Sequence, residues 1–560
     1  MMGADTHASR PTQAATLMVQ GTASGVGKSA LVAALCRLLR RQGLRVAPFK
    51  AQNMSNNAAV CADGGEIGRA QAAQAEAAGV APSVDMNPIL LKPEGDARSQ
   101  VVVRGRVWQR LTAREYHVRK PELLQVVAES LARLRASHDV VVIEGAGSPA
   151  EINLRDGDLV NMAVARLADA PVLLAADIDR GGVFAALVGT LELLEPADRA
   201  RVAGLLINRF RGDPALLTPG LRFLEERTGC PVLGVVPYLH DLRLPAEDSL
   251  SLDGRSASEG RRGAAGRGDG ASAAGDGPRV QVAVICFPRI ANFDDFGPLE
   301  AEPGVRLQYV RAPADLGVPD LVILPGSKST LADLAWLRAS GLGAALLRLH
   351  AAGVPILGIC GGFQMLGTSL ADPDGVEGEP GERAGLGLLP ARTVFVADKS
   401  TRQVCGEVAV ETGVFGCLAG LSLSGYEIHL GRTTVAAPPF ARVGPTPPAP
   451  LPLREGGASA AGRLPPPFPD REGGPGGLGL TPDGAVSPDG LVAGTYVHGL
   501  FHNDAIRRRL VGALARRRGI VLRNGAPHAD PYDRLADAVA AHVDLARLFA
   551  LCRLPVGGRR

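Results

Sequence analysis

Aromatic residues are scarce in this 560-residue chain, where Phe, Tyr and Trp make up only 4%, so a core must be built mostly of Ala, Val, Leu and Ile. An excess of charge of one sign is also lacking. Sixty Lys and Arg against 57 Asp and Glu leave a formal net charge of +3. No basic block marks a nucleic-acid or membrane surface. The apolar runs are strand-sized pieces such as Val140–Ile143, well short of the ~18 residues a membrane span needs. Met1 to Ala15 has no charged start followed by an apolar stretch, so no signal peptide is expected. The eight cysteines stand singly, without a C-x-x-C pair. That pattern excludes a disulfide framework or a zinc site and predicts reduced thiols in a cytoplasmic protein. Lysine is rare too: Lys28, Lys50, Lys92, Lys120, Lys328 and Lys399 are the only six, and all other cations are arginine. A retained Lys therefore points to a place that needs a compact ammonium.

What is present is a large apolar fraction, 46%, in a chain long enough for more than one domain. Asp253–Pro278 is Gly, Ala, Ser, Arg and Asp with almost no large apolar residue, which reads as a flexible linker. Ala436–Asp489 is thick with Pro and Gly and reads as a disordered surface insertion. Before the linker, Thr16–Gln20, Arg45–Pro48, Val140–Ile143, Pro171–Ala176 and Val202–Ile207 read as strands, with Lys28–Arg41 a helix. After it, Val280–Cys286, Leu321–Leu324 and Pro355–Ile359 repeat the theme. Apolar strands alternating with amphipathic helices predict an α/β chain of two doubly wound domains.

The first strand runs into Gly21-Thr22-Ala-Ser-Gly25-Val-Gly27-Lys28-Ser29 and then a helix. Backbone N–H groups of such a loop, with the helix N-terminus, cradle phosphates. Lys28 is placed to reach the β/γ-phosphates of ATP and the Ser29 hydroxyl to ligate Mg²⁺. Lys50 and Asn208 are assigned to the same nucleotide, Asn208 as a reader of adenine at a strand end. Glu144 closes an apolar strand at the sheet edge where α/β ligands bind, and becomes the second metal candidate. Asp177, Asp179 and Arg180 are further strand-end candidates for phosphate or substrate contact.

In the second half, Gly358-Ile-Cys360-Gly361-Gly362 follows a strand and opens a helix, the thiol form of a nucleophile elbow. Such a turn projects Cys360 and offers backbone N–H groups, Gly361 among them, to an oxyanion. Leu324-Pro-Gly326-Ser-Lys328 ends another strand and supplies a second N–H candidate at Gly326. A general base is required. His498, after a short strand and before Gly499, is the candidate, with His429 the competitor expected to be structural or substrate-facing.

Several longer stretches have no such physical reading: Phe49-Lys-Ala-Gln-Asn-Met-Ser-Asn-Asn57, Gly64–Gln71, Ser83–Pro93, Glu144–Arg155 and Tyr426-Glu-Ile-His-Leu-Gly-Arg432. Together with the loop and the elbow, they resemble the cobyric acid synthase family of glutamine-dependent corrinoid amidases. The resemblance implies an N-terminal P-loop ATPase domain like dethiobiotin synthetase and a C-terminal class I glutamine amidotransferase domain. With the composition it gives a disordered tail at 1–15, an ATP-dependent amidoligase domain at 16–252 and, from composition alone, the linker at 253–278. The glutamine amidotransferase domain then takes 279–525, with the insertion at 436–489, and a helical segment ends the chain at 526–560. It further implies Cys360 as nucleophile, His498 as base, L-glutamine as nitrogen donor and a corrinoid substrate, while the even charge and short apolar runs already predict no nucleic-acid or membrane partner. The expected reaction is four amidations of adenosylcobyrinic acid a,c-diamide to adenosylcobyric acid.

Two departures stand out. The His-x-Glu pair of other class I glutaminases is replaced by His498-Gly499-Leu500, and Gly25 stands where the family commonly has Asp. A sister cobyrinic acid a,c-diamide synthase shares both domain types, but the Phe49–Asn57 and Tyr426–Arg432 stretches argue against it. A partition-type ATPase shares the P-loop fold, but its signature Lys would fall at Ala23 and it has no use for Cys360.

Overall fold

The computed structural model describes residues 13–94, 98–239, 242, 278–446, 479–522 and 530–554. Almost all of the expected linker and the middle of the expected insertion, 447–478, lie outside the described residues. The chain forms two compact units, one of 1–54, 70–244 and 528–560, the other of 55–69 and 245–527. These contacts divide the chain differently from the linker alone, because two segments pack away from their sequence neighbours.

The first unit is built on six parallel strands in the order Val232–Pro237, Val202–Phe210, Val172–Asp177, Ala15–Gly21, Val140–Glu144, Val46–Phe49. Leu17, Met18 and Val19 on the central strand are fully buried, as continuous apolar runs in a sheet covered on both faces should be. The helix Lys28–Arg41 follows the first strand directly. A smaller sheet, Gln52–Met54, Ile89–Pro93, Arg98–Val103 and Arg106–Thr112, lies in the same unit.

The C-terminal segment belongs to this first unit. Its helices Pro531–His542 and Leu545–Leu551 bury Leu535, Val539, Leu548 and Phe549 in one cluster with Leu31, Leu35 and Leu38 of the helix behind the phosphate loop. Arg37, itself buried, is held by Asp530 and, at 3.0 Å, by Asp533. Leu535→Ala removes a side chain only 3% exposed, and about 2–4 kcal/mol of stability should go with it. The expected result is a lowered thermal midpoint; an unchanged one would mean that this helix does not stabilise the unit.

The second unit holds another six-stranded sheet, ordered Val305–Val310, Val280–Ile285, Leu321–Leu324, Ile356–Ile359, Val492–Thr495, Ala485–Val486, parallel except for the last pair. A mostly antiparallel sheet centred on the long strands Ala391–Val408 and Ser422–Val435 completes it. The flanks of the expected insertion are ordered parts of these sheets. Ala441–Pro445 pairs with Ala391–Val408, Thr481–Asp483 pairs with Ala441–Pro445, and Phe440 is fully buried. The low apolar content of the whole stretch hid these short flanks. Segment 55–69 also packs here: Ala58 N donates to Asn292 Oδ1 at 3.0 Å, Gln403 Nε2 donates to Val60 O at 2.8 Å, and Arg69 pairs with Asp294 at 2.7 Å. Among the described residues no helix is long and apolar enough to cross a membrane, and all eight cysteines are free.

Candidate active sites

At the thiol site, strand Ile356–Ile359 ends and helix Gly361–Leu366 begins with one residue between them, Cys360. Its backbone sits at φ 52°, ψ −109°, a strained conformation for a residue with a Cβ and the signature of a nucleophile elbow. The glycines around it are sterically required. A Cβ on Gly362 would come 2.0 Å from Leu324 O, and one on Gly361 would come 2.9 Å from Ser327 N. The end of strand Leu321–Leu324 is thereby pressed against the elbow, which brings the Gly326–Ser327 backbone beside Gly361, where the oxyanion donors were expected.

His498 comes to the same place. A Cβ on Gly326 would lie 3.0 Å from its Cε1 and 3.6 Å from its Nε2, the Cys360 thiol acts electrostatically on the ring, and Cys360 Sγ itself donates to Ile428 O at 3.4 Å. The opposite ring nitrogen, Nδ1, donates to Asp295 Oδ2 at 2.7 Å, while Gly499 N donates to Asp295 Oδ1 at 2.9 Å. Both side chains are 1% exposed. Burial alone would push the imidazole down, but the Asp295 carboxylate and Cys360 outweigh it and lift the group to about 10. Tyr426 stacks on the imidazole, centroids 5.3 Å apart and planes 16° off parallel.

Asp295 is the orienting group that His498-Gly499-Leu500 lacks, and sequence reasoning missed it because it lies 203 residues upstream. The available signal was Asn292-Phe-Asp-Asp-Phe296 just beyond strand Val280–Ile285. Carboxylates set between buried phenylalanines are costly unless paired. His429 is engaged elsewhere, with Nδ1 2.8 Å from Gly431 O and its ring stacked on Tyr496 at 3.8 Å.

The phosphate site lies wholly in the first unit. Gly25 and Gly27 have φ of 73° and 98°, which favours glycine and suits Gly25 to the place where the family commonly has Asp. A Cβ on Gly21 would come 2.5 Å from Val26 Cγ2, so the loop closes tightly on itself; Thr22 N donates to Ala175 O at 3.0 Å. Lys28 Nζ donates to Ala23 O and Gly147 O, each at 3.0 Å. Ser29 Oγ donates to Glu144 Oε1 at 2.8 Å, and Lys50 Nζ pairs with the same oxygen at 2.9 Å. Gln74 Nε2 donates to the other carboxylate oxygen. Ser29 and Glu144 offer hard oxygens of the kind Mg²⁺ takes with phosphate and water, though Lys50 and Gln74 engage both Glu144 oxygens here and would have to yield one.

Asn208 is brought to the loop, but its Nδ2 donates to Val26 O at 2.8 Å and lies where a Gly27 Cβ would come within 2.2 Å. Reading adenine would require the amide to give up that bond; here it braces the loop. Asp177 and Asp179 are taken by Arg209 and Arg211, each at 2.8 Å, and Arg180 lies 3.7 Å from Asp177.

Two family models divide the chain in the same order. A CobQ/CobB/MinD/ParA nucleotide binding domain matches residues 17–252, and a CobB/CobQ-like glutamine amidotransferase domain matches 281–446. Full-length relatives carry one name. The cobyric acid synthase of Sorangium cellulosum is 53% identical over 549 residues, covering 96% of this chain and 98% of that protein. That of Pelotomaculum thermopropionicum is 49% identical over 554 residues, 97% of each. That of Dehalococcoides mccartyi is 46% identical, over 96% of this chain and 98% of that protein.

Proposed function

The chain belongs to the cobyric acid synthase family of glutamine-dependent ligases, and on that premise we propose that it amidates the b, d, e and g carboxylates of adenosylcobyrinic acid a,c-diamide at the expense of ATP. The observation that carries this reading is the presence in one chain of a buried Cys360–His498–Asp295 array and a Lys28–Ser29–Glu144 phosphate site. A hydrolase would need only the first, and a nucleotide switch only the second.

At the thiol site, the Cys360 proton rests on His498 Nε2, and the imidazolium keeps Nδ1–H on Asp295. The thiolate adds to the glutamine side-chain carbonyl, and the oxyanion is held by N–H groups of Gly361 and the Gly326 loop. The imidazolium returns its proton to the departing nitrogen, ammonia leaves, and water cleaves the thioester to glutamate. At the phosphate site the loop amides and Lys28 hold the ATP phosphates while a substrate carboxylate attacks the γ-phosphorus. ADP leaves, and the acyl phosphate formed is displaced by ammonia to give the amide and phosphate. Ser29 and Glu144 would hold Mg²⁺, which supplies charge neutralisation when bound. The reading predicts a cytoplasmic enzyme acting on a small corrinoid. Mass spectrometry of the corrinoid after incubation with ATP and glutamine tests it: four acid-to-amide exchanges are expected, and an unchanged diamide refutes it.

The Asp295 role has its own test. In Asp295→Asn the partner that raises His498 is lost, so the imidazolium gives up its proton at lower pH than the wild type's value near 10. Glutaminase activity should fall about 10²–10⁴-fold. The arm of the pH profile that reports the imidazolium should move to lower pH. A wild-type rate and profile would make Asp295 a structural acid only.

A further inference from the structure

We infer that a cavity of about 720 Å³ in the first unit, next to the phosphate loop, is the seat of the corrinoid acceptor, and that Lys120 is the ammonium that reads its carboxylates. This rests on the amidation reading above and gives it a place. Gly147 belongs both to the cavity wall and to the phosphate site, where its carbonyl accepts from Lys28 Nζ at 3.0 Å. A carboxylate held in the cavity is therefore next to the group that positions the β/γ-phosphates. Seven of the ten residues from Ala146 to Arg155 line the cavity. Of these seven only Gly147 also serves the phosphate site.

The lining matches a broad apolar macrocycle with a polar fringe. Its interior wall includes Leu159 and Met162, both nearly fully buried, while Met54 and Leu154 remain 55% and 50% exposed. Large apolar side chains left half in water at a cavity are surface that an apolar ring would cover.

The cations differ in their commitments. Arg155 pairs with Glu195, and Arg166 with Asp198 at 2.6 Å. Lys120 has no hydrogen bond or ion pair among the described residues. Its stem runs beside Gly157, where φ is +106° and a Cβ would lie 3.3 Å from Lys120 Cδ. In a chain that uses arginine for nearly every cation, this is a compact point charge, unpartnered among the described residues, in the wall of a largely apolar cavity. The wall carboxylates of Glu151 and Asp156 can accept from amides that the acceptor already carries. Each turnover removes one negative charge from the substrate, so attraction to Lys120 falls as amidation proceeds.

The test is ultrafiltration binding of full-length protein, read by the visible absorbance of the corrin, with cobyrinic acid a,c-diamide and fully amidated cobyric acid as probes. Lys120→Ala should weaken the diamide about tenfold and the product much less, since a charge-assisted contact is lost only with the acid. Lys120→Arg should recover part of the loss, and the KM for the diamide should rise with the same order. Leu154→Asp should weaken both probes. Thermal melting controls for folding, and neither substitution alters a buried side chain. If both variants bind like a wild type that itself binds and amidates the diamide, the cavity assignment is wrong and the function stands. If the wild type neither binds nor amidates it, the function reading falls and the cavity loses its ligand.

Discussion

Cys360→Ala is expected to abolish glutamine-driven amidation while ammonia-driven amidation continues near the wild-type rate. Cys360 alone occupies the elbow at φ 52°, between a strand end and a helix start. Its neighbours Gly361 and Gly362 allow Leu324 and Ser327 to close around it. The other cysteines have no such setting; burial pushes the Cys36, Cys61 and Cys552 thiols up, which keeps them protonated and inert. Without the sulfur no thioester forms, and a loss of at least about 10³-fold in glutamine use follows. Ammonia added to the medium bypasses that step. The change removes one small atom from a pre-built turn, so folding should survive. Corrinoid mass spectra with each nitrogen source decide the matter. Loss of both activities would mean that the thiol also serves the amide-forming step, and the division into two chemistries would fail.

Much of this was legible in the sequence because it is local. Lys28–Arg41 begins and ends where its Gly-Lys-Ser start and its amphipathic run place it, and Leu321–Leu324 is a strand over the same four residues. Glycines before a Lys or around a Cys mark loops whose geometry has few solutions, so both candidate sites could be proposed from short segments. What stayed hidden is long-range. Asp295 reaches His498 across 203 residues, and Gln74 reaches Glu144 across 70. No spacing rule links such pairs. Segment 55–69 and the last two helices also join units from which their sequence neighbours are divided. A Gly-rich composition carries no sign of which unit a later segment joins, whereas apolar faces such as that of Leu535 and Val539 settle which surface they cover.

Lys28→Ala should remove amidation with either nitrogen source, which separates it from the Cys360 variant. Lys28 is 7% exposed, and its ammonium is held between Ala23 O and Gly147 O. Those carbonyls fix a positive charge at the mouth of the loop, where the β/γ-phosphates would take over one or both contacts. Alanine leaves the loop amides and the Ser29–Glu144 pair in place but removes the charge that offsets the build-up on the γ-phosphate oxygens. A fall of at least about 10³-fold is expected, since this is the loss of a charged donor from a pre-organised site. Lys28→Arg should not restore activity: Nζ and Cδ lie only 3.1 Å from where a Gly21 Cβ would be, and a planar fork does not fit that packing. Alkylation of Cys360 by a glutamine analogue reads the other unit independently and should persist in both variants. If Lys28→Ala still forms amides with ammonia, no acyl phosphate is made at this loop, and the carboxylate must be activated elsewhere in the chain.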